Sequence, residues 1–233
     1  MIRGARKRLF ARVERIRRDE AGVTLSELIV TMGLMTMLLA MVMTIFVAFT
    51  RSFSDDQATS NNSNTVSVAM NELTRVIRSG TELTQSGTDT NVPVFTVAKP
   101  NLARLSTYLD TDALDPEPLQ VEFEVTSSHT LIERRWDATE SSLGYFSFPS
   151  YATSERTISR NLDSSTGALF TYLDVSGNEI LPVSGKVPTS LLPSIAAVKV
   201  VMTVQSDATG GASPATIENT VGIPNLGTSR IGQ

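Results

Sequence analysis

Few side chains in this 233-residue chain are equipped for chemistry, and they fall in three places. Cysteine is absent, which excludes thiol catalysis, thiolate metal sites and disulfides. His129 is the only histidine, so a triad or a histidine-rich metal centre has little to stand on, and its neighbours Thr126 to Thr130 read as a turn. Four carboxylates, Asp110, Asp112, Asp115 and Glu117, gather in LDTDALDPEP beside Pro116 and Pro118. Oxygen-rich loops bind Ca²⁺, but this one lacks the glycine and terminal glutamate of an EF-hand, and solvated loop acids are the alternative. The third place is Glu27, in Ala21-Gly22-Val23-Thr24-Leu25-Ser26-Glu27-Leu28, directly before a long apolar run. A carboxylate at the end of a bilayer-embedded helix costs about 1 to 3 kcal/mol unless neutralised, and such groups are usually functional. Snorkelling at the headgroup boundary is the plainer reading.

The apolar run itself, Leu28 to Thr50, holds 23 residues without one ionisable side chain. As a helix that length spans the roughly 30 Å hydrocarbon core of a bilayer. Its methionines, Met32, Met35, Met37, Met41 and Met43, suit adaptable helix packing better than metal or redox work. The first 22 residues carry eight basic groups against three acidic ones. Removing these from the chain's 20 basic and 24 acidic residues leaves 12 and 21, so a leader near +5 precedes a body near −9. The positive-inside rule then places the N-terminus in the cytoplasm and the body outside. An acidic body argues against a nucleic-acid partner, because such proteins concentrate positive charge to displace counterions. A secretory signal would need a shorter run, roughly 7 to 15 residues, ending in a small-x-small site, and no good Ala-x-Ala pair follows here.

Beyond the run, residues 51–80 read as an amphipathic continuation of the helix: Val66, Ala69, Met70, Leu73, Val76 and Ile77 recur at helical spacing and Gly80 supplies a stop. The SNNSN segment, Ser60 to Asn64, has poor helix propensity and is where a break or local melting is expected if there is one. From residue 81 to 233 the pattern turns to short β-like runs broken by Gly, Pro, Ser and Asp. Leu119 to Val125 alternates Leu119, Val121, Phe123 and Val125 with Gln120, Glu122 and Glu124, the pattern of a half-buried strand. Thr130 to Trp136 reads as its antiparallel partner, with Arg134 and Arg135 offsetting the glutamates and Trp136 in the core. Further strands are expected at Val92–Ala98, Ala168–Asp174, Ile195–Gln205 and Thr216–Ile223, and a turn at Val175–Glu179. The sum is an α+β fold: a long N-terminal helix packed on a mainly antiparallel sheet.

The junction at Gly22 resembles the class III signal of type IV prepilins and pseudopilins, in which a basic leader ends in Gly and a Glu stands at the fifth mature position. The resemblance implies cleavage between Gly22 and Val23 by a membrane-embedded prepilin peptidase, then N-methylation of Val23, with the membrane anchor kept. It implies that Glu27 pairs with the N-terminal amine of a neighbouring subunit. Glycine before the bond suits the extended backbone a protease must hold. Val23, where many relatives have Phe or Met, departs from the commonest pattern in a way the family tolerates; Thr44, where many major pilins have Pro, points with the missing C-terminal cysteine pair and the large head to a minor subunit. The amphipathic NELTRVIRSG, TLIERRW, SERTISRNLDSSTGALFTYLD and LPSIAAVKVVMTV are similar to J-type pseudopilins and their W-type relatives.

That resemblance leads to the expectation of a non-enzymatic structural subunit without cofactor: residues 1–22 a cleaved leader, 23–50 the membrane and assembly helix, 51–80 its continuation, and 81–233 an extracytoplasmic head. Its implied partners are the prepilin peptidase, other pilin or pseudopilin subunits, a membrane-embedded assembly platform and membrane lipid. It would sit in the cytoplasmic membrane before joining a pilus or pseudopilus at the cell surface. A membrane-anchored binding or sensor domain that never polymerises is the rival from another class, and an exported hydrolase using Asp and Glu pairs is a second.

Overall fold

The computed structural model describes residues 22–84, 91–109, 116–142, 145–163, 167–206 and 212–227. One helix, α1, runs Leu25–Arg78. It begins where Thr24 and Glu27 satisfy each other: the Thr24 N–H donates to Glu27 Oε2 at 3.1 Å and the Glu27 N–H to Thr24 Oγ1 at 3.3 Å. This reciprocal arrangement is a capping box, and it occupies backbone donors that a helix start leaves without partners. The chain divides into two compact units, Met1–Phe53 and Ser54–Gln233, and α1 contributes to both.

In the first unit every helical side chain from Leu25 to Phe53 is exposed, and the helix is long and apolar enough to cross a membrane. Its threonines return their hydroxyls to the helix: Thr31 to the Leu28 carbonyl, Thr36 to Gly33, Thr44 to Ala40 and Thr50 to Phe46, at 2.8 to 2.9 Å. No polar hydrogen is thereby left facing an apolar medium, which is how a membrane segment tolerates hydroxyls.

The second unit holds the later turns of α1 and three antiparallel sheets. The largest has the order β1-β2-β3-β4-β7, built from β1 (Phe95–Lys99), β2 (Leu102–Thr107), β3 (Leu119–Val125), β4 (Leu131–Asp137) and β7 (Ser154–Ser159). A second, ordered β10-β9-β8, comprises β8 (Phe170–Leu173), β9 (Ala197–Val204) and β10 (Ala215–Gly222). β5 (Thr139–Ser142) and β6 (Tyr145–Ser147) form a separate ribbon. Val66, Ala69, Met70, Leu73, Val76 and Ile77 of α1 pack into one core with Phe95, Leu105, Phe123 and Leu131 of the larger sheet and Tyr172, Val198, Val200 and Met202 of the smaller. The expected α+β architecture is present, with two main sheets in place of one.

Several local expectations are met. The β3–β4 hairpin pairs Val121 with Arg135 and Val125 with Leu131. His129 lies in its turn with φ 57°, its N–H bonded to the Thr126 carbonyl. The Val175–Glu179 turn forms around Asp174, whose Oδ1 accepts the N–H groups of Ser176 and Asn178.

α1 runs through Ser60 to Asn64 as the continuous helix expected, because Asn62 is buried and bonded to the β9–β10 connection and Ser63 returns its hydroxyl to the Thr59 carbonyl. Gly80 stands just past the helix end, as expected of a stop; its φ is not positive, and what the position requires is closeness, since a Cβ there would stand 2.7 Å from Val94 Cγ1. Others are corrected. Arg135 does not face the β3 glutamates; strand alternation sends it to the opposite face from Arg134. Trp136 is buried, but on the sheet face that carries Arg104, whose guanidinium lies 4.4 Å from its ring centre, and not in the core under α1.

Candidate functional site

At the N-terminal junction, Gly22, Val23 and Thr24 precede α1 in non-helical backbone and all are exposed. No atom lies within 4 Å of where a Gly22 Cβ would be, so the fold itself does not demand glycine there. The Gly22–Val23 peptide bond is thus accessible, outside the helix and two residues ahead of its first turn. A protease needs that arrangement, because a peptide inside a helix cannot be held extended. Glu27 is engaged within its own chain, with Oε2 accepting both the N–H and, at 3.0 Å, the hydroxyl of Thr24. The signal for this contact is the Thr-x-x-Glu spacing itself, which the sequence reading passed over in favour of the longer motif.

Of the acidic group of LDTDALDPEP, Asp110, Asp112 and Asp115 lie outside the described residues, and Glu117 is exposed. Among the described residues no cluster of three or more Asp, Glu, His or Cys could hold a metal ion.

Two ionic arrangements stand in the second unit; the sequence foresaw Arg134 against Glu122 and Glu124 in the first, and none of the second. On the larger sheet's outer face Arg104, Glu122, Arg134 and Glu155 stand in register across β2, β3, β4 and β7. Glu122, nearly buried, accepts from Arg104 Nε and Arg134 Nη1, both at 2.9 Å, while Arg134 also meets Glu124 and Glu155. Bonding to Glu124, then Glu155 and Glu122, raises the Arg134 guanidinium further above its ordinary range. On the inner face Glu133, fully buried, and Glu72 of α1 share Arg135 and Arg156, and Arg75 adds a bond to Glu72 at 2.7 Å. Burial acts to raise the Glu72 carboxyl, but the Arg75 hydrogen bond and the charges of Arg75, Arg156 and Arg135 outweigh it and hold it below its ordinary value.

These networks satisfy their own charges, and the inner one fixes α1 to the sheet through Glu72; among the described residues they contain no free nucleophile or base aimed at a cleft. What the N-terminus offers is different: an exposed non-helical peptide bond between Gly22 and Val23, and an apolar helical segment that none of the described residues covers. No family model matches the chain, and no curated protein is similar to it.

Proposed function

We propose that the chain is a prepilin-like minor pilin or pseudopilin, a structural subunit that is processed at Gly22–Val23 and assembles through its N-terminal helix. The observation that carries the reading is the conjunction at one end of α1: an exposed non-helical bond after Gly22, a carboxylate at Glu27, and an apolar helical segment that no other part of the described residues covers. An uncovered apolar surface of that length needs a bilayer or other helices around it. On this reading the leader stays in the cytoplasm, lipid covers the segment before assembly, and partner helices cover it afterwards. Prepilin peptidase would cut and methylate at Val23, an assembly platform would extract the subunit, and its head would stand outside the membrane, in a pilus, competence or type II secretion-like fibre.

The test is the mass of the N-terminal peptide from the chain expressed with a prepilin peptidase. A peptide that begins at N-methylated Val23, and its replacement by the precursor in Gly22→Val, is expected. A chain that begins at Met1 in the presence of the active peptidase excludes the reading. So does a chain that begins beyond Thr50. Retention of Met1 with normal membrane insertion is what an anchored domain that never polymerises would give.

A further inference from the structure

The strand edges of the second unit differ in how they are guarded. β1 and β7, the edges of the larger sheet, each pair with an irregular register, and β7 carries Glu155 and Arg156. β8 is four residues long. β10 has none of these defences: eight residues pair with β9 without a bulge, no proline interrupts them, and its one charge, Glu218, is neutralised by Lys199 at 2.7 Å. Natural proteins normally blunt an exposed edge, because its free N–H and C=O groups template another strand.

Which groups are free follows from the pairing. The Ile223 N–H donates to the Ala196 carbonyl, so Ile223, Val221 and Asn219 bond towards β9. Alternation then turns the N–H and C=O of Thr216, Glu218, Thr220 and Gly222 away from it. The side chains of those four residues are exposed, and nothing lies within 4 Å of a Cβ at Gly222.

Along the last part of this edge runs a groove of about 590 Å³. One wall is Asn219 to Pro224, and the other is Thr74 and Arg78, one turn apart on α1. Asn219 bridges the walls with a bond to Thr74 Oγ1 at 3.1 Å. Arg78 is exposed, and among the described residues its guanidinium makes no hydrogen bond or ion pair. A guanidinium without a partner among the described residues, beside an open strand edge, is a recognition element for a carboxylate.

We propose that this groove binds an extended polypeptide segment from a partner chain, which adds as a further strand to β10 and places an Asp or Glu side chain against Arg78. Main-chain bonds to Thr220 and Gly222 supply affinity, and the guanidinium selects the acid near the Gly222 end. The inference goes beyond the fibre reading and does not need it, since the groove lies wholly within the second unit.

The test uses the full chain in detergent micelles, titrated with two labelled, end-blocked octapeptides of alternating Thr and Val. One has Asp at both ends and the other Lys. Saturable binding of the Asp peptide is expected, weakened about tenfold or more by Arg78→Glu. Thr220→Pro removes only an outward N–H, a position where an edge strand tolerates proline, and should abolish binding with the thermal unfolding curve unchanged. Should that variant unfold, N-methylation of alternate peptide amides blocks the same bonds from the ligand side and must abolish binding to the unaltered chain. Equal affinity for both peptides, binding insensitive to both blocks, or no saturation below about 1 mM would each overturn the proposal.

Discussion

Arg156, on the edge strand β7, places its Nε 2.8 Å from Oε2 of Glu133, a carboxylate with no exposed surface. The same guanidinium reaches Glu72 on α1, so one half-exposed side chain joins helix and sheet through two acids. Arg135 does the same from β4. Glu133→Ala would remove one of the two carboxylates that Arg135 and Arg156 share and leave Glu72 alone to hold both. Removing one partner of a buried pair typically costs 3 to 5 kcal/mol, and the exposure of Arg156 places this one at about 3 kcal/mol. The midpoint of urea unfolding measures it; a loss below about 0.5 kcal/mol would mean that the acid contributes little.

Glu72 makes the same junction sensitive to acid. Its folded-state carboxyl lies below the ordinary 4.5, because the Arg75 bond and the charges of Arg75, Arg156 and Arg135 exceed the effect of burial. A depressed carboxylate contributes stability above its unfolded value and loses it as pH falls through its folded one. Unfolding stability should therefore be flat with respect to this group from pH 7 to about 5 and decline below about 4.5. Glu72→Gln should be less stable at pH 7 and show a shallower decline. A variant whose acid limb parallels that of the unaltered chain would remove Glu72 as a cause.

SNNSN is the stretch of α1 least suited to a helix by propensity alone. Its five residues are poor helix formers, yet Asn62 is 1% exposed and is held from both sides. Its Nδ2 donates to the Ser213 carbonyl at 3.0 Å and to Gln205 Oε1 at 3.3 Å, and its Oδ1 accepts the Ser206 N–H at 3.0 Å. These bonds tie α1 to both ends of the β9–β10 connection. Alanine would improve local helix propensity by about 0.5 kcal/mol but remove the partner of the Ser206 N–H and of the Ser213 carbonyl, for a net cost of about 1 kcal/mol. Hydrogen exchange should report the change first at the Ser206 amide; unaltered protection there would contradict the assignment.

What could be read from the chain was whatever depends on periodicity. The apolar run, the helical spacing from Val66 to Ile77, and the alternation of Leu119 to Val125 each state an element and its buried face without knowledge of partners. β7 was invisible because Ser154–Ser159 is a mostly exposed edge whose sequence, SERTIS, has no apolar face. β2 was hidden behind the basic Arg104 in LARLST, whose charge is answered by Glu122, 18 residues later. The same limit hid the Glu72–Glu133 junction: all five of its members are long charged residues that any sequence reading places in solvent, and only the pairing of β4 with β7 brings Glu133, Arg135 and Arg156 to Glu72 and Arg75 of α1. At the N-terminus the motif was legible, but the Thr24–Glu27 contact shows that Glu27 has a local task as well.

Gly80 offers a test of why a glycine stands where a helix gives way to sheet. Its N–H still bonds to the Ile77 carbonyl at 3.1 Å, and the residue already bridges to Thr107 of β2. A methyl group added there would meet Val94 Cγ1 at 2.7 Å and the Ile77 carbonyl at 3.0 Å. Val94 is buried and β-branched, so it cannot swing aside to another rotamer without cost. Gly80→Ala should destabilise the second unit by about 1 to 3 kcal/mol, the usual cost of overpacking. Val94→Ala removes the struck atom and also leaves a cavity, so each change alone is harmful. Together they should cost less than the sum of the two, because the alanine methyl occupies space that Val94 vacates. A double-mutant cycle that proves strictly additive would show that the glycine is required for its backbone conformation and not for the approach of Val94.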